Sequence, residues 1–246
     1  MLILLDIDGT LLHGSPRAHT EALVGALADV YGVPAAVHDV AAVVPAGRTD
    51  QEIARLVLAG HGVAGDRITA GLPDFVARAA ERYPEADAAL PGPVVAPGAA
   101  EALARLAAAG ASLALLTGNI EEIARAKMAR AGLAGWFPEG QGAFGSDHER
   151  RDALVPIAVR RAAGDGAAAA AAAAAGPVVV GDTPRDIACA RAGGARCVAV
   201  ATGVHQPEEL AEADAVALDL AGAADVLAGW LAAGAGRPGA TGRSPR

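Results

Sequence analysis

The chain has 246 residues, enough for one large α/β domain or for a core domain that carries an insertion. Its formal net charge is -8, and no basic stripe interleaved with aromatics is present, which argues against a nucleic-acid binder. No apolar run free of glycine or charge is long enough for a membrane span, and no secretory leader precedes the opening strand, so a cytoplasmic protein without membrane or nucleic-acid partners is expected.

Leu2 to Leu5 form a continuous apolar run that ends on Asp6, Ile7, Asp8 and Gly9. Such a run reads as a buried parallel strand, and open α/β sheets bind their ligands at the carboxyl ends of such strands. Residues two apart share a strand face, so Asp6 and Asp8 leave on one side if the extended conformation persists that far. Two close carboxylates repel, and a divalent cation or a difference in protonation removes the cost. Gly9 allows a sharp turn and Thr10 offers a hydroxyl at the bend. The competing reading of this stretch alone is an ordinary strand ending in an acidic surface loop.

Beyond it, Ser15 suits an N-cap and Pro16 a first helical residue, and Leu23, Leu27 and Val30 recur at helical spacing up to Tyr31. Thr49-Asp50-Gln51-Glu52 fits a capping box, with Ile53, Leu56 and Val57 on one face of a second helix. Phe75, Val76, Ala79 and Tyr83 mark a third, expected to close at Pro84. No convincing strand occurs between Gly14 and Pro91, which indicates a helical insertion. Pro91-Gly92-Pro93 and Pro97-Gly98 mark the return, and a helix with Leu103 and Leu106 runs to Gly110.

From there strands and helices alternate. Ser112 to Leu116 is a strand ending in Thr117-Gly118-Asn119, followed by a helix from about Ile120 to Ala131. A short strand candidate around Ala143-Phe144 precedes a helix from Arg151 to Ala163. Pro177 to Val180 is a further strand, ending in Gly181-Asp182-Thr183-Pro184-Arg185-Asp186, and its helix stops at Gly193-Gly194. Cys197 to Val200 and Ala215 to Leu218 are the last strand candidates, and a final helix reaches about Leu231. Alternation of this kind implies an α/β fold, a Rossmann-like parallel sheet with helices on both faces. The expected organisation is a core at 1–13 and 92–232, a helical cap at 14–91 and a disordered tail at 233–246. The alanine tract 167–175 reads as a low-complexity surface insertion, and Cys189 and Cys197 as buried small hydrophobes.

Asp6-Ile7-Asp8-Gly9-Thr10 at the first strand end, Thr117-Gly118-Asn119 at the second, a basic residue near Arg151 and Gly181-Asp182-x-x-x-Asp186 at a later one make a joint pattern that chance rarely supplies. In these residues the chain resembles the haloacid dehalogenase-like superfamily, in particular its phosphoglycolate phosphatase-like members with a helical cap inserted after the first strand. The resemblance covers the chain to about Leu231.

Carboxylate chemistry gives these positions roles. Asp6, ending the strand, is the natural nucleophile toward a phosphate ester, and Asp8 is the acid and base, kept protonated for the leaving alcohol by the neighbouring anion. Asp182 would complete a Mg²⁺ site with Asp6 and, as the resemblance implies, the backbone carbonyl of Asp8. Asp186 is expected to support the metal or the basic residue, with helix capping as the other reading of both acids. Thr117, Gly118 and Asn119 read either as a phosphate cradle or as a strand-to-helix turn capped by Asn119, and the resemblance favours the cradle.

The positive residue departs from the Lys-Pro pattern common in the family. Lys127 lies about two turns into its helix, roughly 12 Å from the N-terminus, so Arg151 is favoured over Arg150 and Lys127. Arg48, in Gly47-Arg48-Thr49-Asp50, resembles the cap loop that reaches the substrate; it would meet a carboxylate or phosphate, or else stay a surface residue. His13 and Gly14 border the hinge, and His148 reads as a loop histidine. The expected activity is a Mg²⁺-dependent phosphatase acting on a small phosphorylated metabolite, with phosphoglycolate suggested by likeness. Sugar phosphomutase and a catalytically silent binding module are the alternatives, and the sequence sets no oligomeric state.

Overall fold

The computed structural model describes residues 1–14, 17–163 and 176–235. The Ser15 and Pro16 cap, the alanine tract and the tail beyond 235 lie outside the described residues. Five strands form one parallel sheet: β1 (Leu2–Leu5), β4 (Ser112–Leu115), β5 (Val178–Gly181), β6 (Arg196–Val200) and β7 (Ala215–Ala217), in the order β4-β1-β5-β6-β7. The side-chain period of two splits the apolar strands between two cores. Ile3 and Leu5 face a cluster with Val180, Val198 and the helices α5 (Ala99–Ala108) and α9 (Leu220–Ala235). Leu2 and Leu4 face the other, with Val179, Ala199, α7 (Leu154–Ala163) and α8 (Pro184–Ala192). Burial on both faces explains why β1 and β5 read as unbroken apolar runs rather than alternating ones. Cys189 and Cys197 are free and buried, as expected from the sequence.

From β1 the chain moves to β4 on one side and then to β5 on the other, so the connections diverge at the carboxyl end of β1. That divergence opens a crevice where ligands bind in such sheets.

Between β2 (Leu12–His13) and β3 (Val94–Val95) lie four helices: α1 (Arg17–Tyr31), α2 (Val37–Ala42), α3 (Asp50–Gly60) and α4 (Gly65–Ala88). Leu23, Leu27, Leu58, Ile68 and Phe75 give them an apolar cluster of their own. Ile120 and Ile123, at the entry to α6 (Glu121–Arg130), join that cluster and seat the helices on the sheet domain. β2 and β3 pair antiparallel, so the chain enters and leaves the helical part through one two-stranded ribbon.

Several elements differ from the sequence expectation. The ribbon strands have two residues each and α2 has six, too short for periodicity to announce them. α4 does not close at Pro84 but runs to Ala88 with Pro73 and Pro84 inside it. Each proline forfeits a backbone bond, and burial of Phe75, Ala79 and Tyr83 along α1 holds the helix together. Ala143 makes a single parallel bridge to Leu116 rather than a strand. Arg151–Ala153 is a 3-10 turn that precedes α7, and α9 extends four residues past Leu231 to Ala235. No helix of the described residues is long and apolar enough to cross a membrane.

Phe75 is fully buried at the centre of the helical cluster. Phe75→Ala should lower stability by about 3–5 kcal/mol, measured by chemical denaturation.

Candidate active site

Asp6 follows β1 directly, and its N–H continues the ladder by donating to the Val180 carbonyl of β5 at 2.9 Å. Asp182 follows β5 in the same way, so two adjacent parallel strands deliver two carboxylates to one end of the sheet. Asp186, on the first turn of α8, completes a group of three acids whose oxygens lie within 4.8 Å of one another. All three are buried. Burial, with Asp186 and Asp8 nearby and only partly opposed by Arg151, pushes Asp6 up to about 6. Burial and then the charges of Asp6 and Asp186 push Asp182 up to about 8.

Arg151 lies among them. Its guanidinium bonds Asp186 and stands 3.2 Å from Asp6 Oδ1. When all are ionised, three carboxylates against one guanidinium leave two negative charges, and hard oxygen donors in that number fit a divalent cation such as Mg²⁺. The two oxygens of Asp186 are committed, one to Arg151 and the other to Thr183, whose N–H and hydroxyl donate at 3.0 and 2.7 Å. Asp186 therefore caps α8 and orients Arg151 together, which makes the two sequence readings compatible. Asp6 and Asp182 are the freer ligands; Thr10 donates to Asp182 Oδ1 at 3.1 Å. Gly9, at φ 89°, is needed beside them, because a Cβ there would lie 2.3 Å from Asp182 Oδ2.

Asp8 departs from expectation. Its side chain turns from the acid cluster toward Lys127, whose ammonium reaches Asp8 Oδ1 at 2.9 Å and Oδ2 at 2.6 Å. Burial would raise the Asp8 pKa, but the Lys127 charge and the bonds from Lys127 and Asn119 outweigh it and hold the carboxyl below its usual range. The neighbouring anions do not keep it protonated. Lys127, set aside on the sequence as too far along its helix, lies within reach because helical side chains lean back toward the N-terminus and Asp8 approaches the helix flank.

Lys127 finds one acceptor type for each of its three protons: Asp8, Asn119 Oδ1 at 2.6 Å and His19 Nδ1 at 3.3 Å. An ammonium can only donate, so His19 accepts at Nδ1 and its Nε2 donates to Asp50 Oδ2 at 2.9 Å. The same Asp50 oxygen accepts from Ile120 N–H at 2.8 Å at the entry to α6. His19 and Asp50 are contributed by α1 and α3; the sequence marks Asp50 only as part of a helix start and of the loop around Arg48, and His19 not at all, because only the tertiary packing brings them to Lys127.

Thr117, Gly118 and Asn119 line a cavity of about 390 Å³ together with Asp6, Asp8, Arg48, Arg151 and Asp182. Asn119 does not cap α6: Ile120 is the N-cap, and the Asn119 amide is spent on Lys127 and on Asp8, to which it donates at 3.0 Å. The loop before α3 closes over Gly118, where a Cβ would lie 1.9 Å from the Arg48 carbonyl. Gly118 in turn accepts from Asp50 N–H at 2.8 Å. The Arg48 side chain borders the cavity but is bonded to Glu52 and to the carbonyls of Val43 and Val44. Arg150 pairs with Asp152 at the surface, away from the acids, and His148 is an exposed loop residue.

Two outcomes follow for the purified protein. In chelator at neutral pH, Asp182→Asn should raise the melting temperature by roughly 2–8 °C, because the amide still accepts from Thr10 while folding no longer has to protonate a carboxyl that burial and its neighbours push up to about 8. Added Mg²⁺ should stabilise the parent protein and not that variant, as read by thermal unfolding. Lys127→Met should cost about 1–2 kcal/mol in denaturant titration, below the figure for a fully enclosed pair because the Asp8 side chain is 38% exposed.

Residues 3–191 match the sequence model of the haloacid dehalogenase-like hydrolases. A curated relative, "Probable phosphatase IndB" of Dickeya dadantii (strain 3937), is 29% identical over 215 residues, 87% of this chain and 86% of its own. Among solved structures, a "putative beta-phosphoglucomutase" from Bacteroides vulgatus superposes with a TM-score of 0.63 at 19% identity, over 96% of this chain and 90% of that one. A "predicted phosphoglycolate phosphatase" from Haemophilus somnus does so at 0.62 and 21% identity, over 92% and 96%. These solved structures share the fold, and the match of the family model to most of the chain, with the acids it delivers to one end of the sheet, makes this protein a member of the haloacid dehalogenase-like hydrolases.

Proposed function

We propose that the protein is a Mg²⁺-dependent phosphatase that hydrolyses a small phosphorylated metabolite through a phosphoryl group carried on Asp6. The observation that carries this reading is the placement of Asp6: fixed at the end of β1, 3.2 Å from the Arg151 guanidinium and grouped with Asp182. A cation held by Asp6 and Asp182, with the Asp8 backbone carbonyl as the family resemblance implies, would polarise the phosphate and offset the charge it brings.

The chain's own residues supply the remaining steps. Asp6 attacks phosphorus as the bond to the leaving oxygen breaks, and Asp8 gives that oxygen its proton. Asp8, then a carboxylate, takes a proton from water as the water attacks phosphorus and releases Asp6. The contact with Lys127 favours the carboxylate form needed for that second half. For the first half Asp8 must arrive protonated, and its part-exposed side chain has room to leave Lys127. Arg151, held by Asp186, faces Asp6 where the phosphoryl oxygens gather charge. The Thr117 hydroxyl and the Gly118 N–H supply uncharged donors, while the Asn119 N–H donates to Thr117 Oγ1 at 3.3 Å and fixes that hydroxyl.

In this reading 1–13 and 92–232 form the catalytic core, and 14–91 form a cap that closes the cavity against water on the ribbon of β2 and β3. Release of inorganic phosphate from a panel of phosphate esters, with Mg²⁺ and with chelator, tests it. Turnover should require Mg²⁺ and should fall by about 10³-fold or more in Asp6→Asn. Chelator-resistant turnover, or an Asp6→Asn enzyme with parental activity, would refute the proposal, and an isomerised sugar phosphate in place of free phosphate would make the enzyme a mutase.

A further inference from the structure

The cavity lining also carries apolar side chains, Leu23, Val40, Pro45 and Ile53 from the helical part and Val204 from the loop after β6. Thr20 adds a hydroxyl, and His13 borders the same space with a buried Nε2 that has no hydrogen-bond partner. The acids of the lining are Asp6, Asp8, Asp50 and Asp182. Against them, the arginines among the described lining residues are Arg48 and Arg151. Arg151 is engaged by Asp6 and Asp186, and His19 is bonded to Asp50.

Of these two arginines Arg48 is the one outside the acid cluster, and it is already occupied. Glu52, in the first turn of α3, binds the Arg48 Nη1, and the Arg48 Nε donates to the carbonyls of Val43 at 3.0 Å and Val44 at 3.3 Å. Val44 is a β-branched residue at φ 50°, so these bonds hold a loop conformation that is costly by itself. A ligand carboxylate would have to displace Glu52 to reach a guanidinium, or else rest among four carboxylates with the His13 ring and the Thr20 hydroxyl as polar neighbours, and a charge without a cationic partner is costly in a partly enclosed site. A hydroxyl or an apolar group meets neither penalty.

We propose that Glu52, by occupying Arg48, excludes substrates whose alcohol portion carries an acid, so that the preferred esters are phosphates of uncharged alcohols. The proposal rests on the phosphatase reading and names the substrate class of that site. It disfavours phosphoglycolate, which the sequence resemblance had suggested.

The test compares kcat/KM for 2-phosphoglycolate with that for 2-hydroxyethyl phosphate, an ester of similar size that has a hydroxymethyl group in place of the carboxylate. The parent enzyme should prefer the neutral ester by about tenfold or more. Glu52→Gln should shift the ratio toward phosphoglycolate by a similar factor, mainly through a lower KM for it, and Glu52→Ala gives the same comparison should that variant fold poorly. The parent ratio needs no variant. A parent enzyme that prefers phosphoglycolate, or Glu52 variants that leave the ratio unchanged, would overturn the proposal while leaving the phosphatase reading intact. A parent enzyme inert toward these esters and toward 4-nitrophenyl phosphate with Mg²⁺ would refute the phosphatase reading and the proposal with it.

Discussion

Three buried carboxylates gathered around one guanidinium set the terms for the rest of the molecule. Asp6, Asp182 and Asp186 would repel one another in water, and their burial magnifies that repulsion. They are tolerated because two neighbouring parallel strands and a helix N-terminus fix each acid independently, and because Asp186 spends its charge on Arg151 and on the Thr183 cap. The unbalanced remainder suits a divalent cation, which in the proposed reaction would also meet the oxygens of the phosphate.

The helical part is tied to this centre through polar bonds as well as apolar packing. Asp50 receives the His19 imidazole and the Ile120 N–H on one oxygen, while its own N–H binds the Gly118 carbonyl. Gln51 donates to the Gly145 carbonyl at 2.7 Å, and Arg55 reaches Glu149 at 2.8 Å. Arg151 itself donates to the Gly47 carbonyl at 3.3 Å. Movement of α1 and α3 away from the sheet would release His19 from Lys127 and loosen the support of Asp8. Closure over the cavity and the placement of Asp8 therefore belong to one set of contacts.

How much of this the sequence discloses depends on how local each feature is. β1 and β5 are legible because burial on both faces makes them continuous apolar runs, and Asp6, Asp8 and Asp182 are legible as carboxylates at their ends. Thr49 is recognisable as a cap, and it does accept from Glu52 N–H at 3.1 Å. Arg151 could be placed because it opens the next helix at the same end of the sheet. Helical rise alone places Lys127 out of reach, because it omits the length and backward lean of a lysine side chain and the lateral approach of Asp8. His19 carries no sequence signal and Asp50 only that of a helix start, since contacts across 108 and 70 residues have no local pattern. Arg48 lies at the cavity as its loop suggested, yet its pairing with Glu52 follows from one helical turn of spacing that could have been read in advance.

The most direct test of the account is to trap the phosphorylated enzyme. Enzyme mixed with substrate and Mg²⁺, quenched in acid and reduced with borohydride, should yield homoserine in place of aspartate at position 6, found by mass spectrometry of the N-terminal peptide. Phosphate recovered on another residue, or steady turnover with no acyl phosphate at Asp6 at any quench time, would contradict the account.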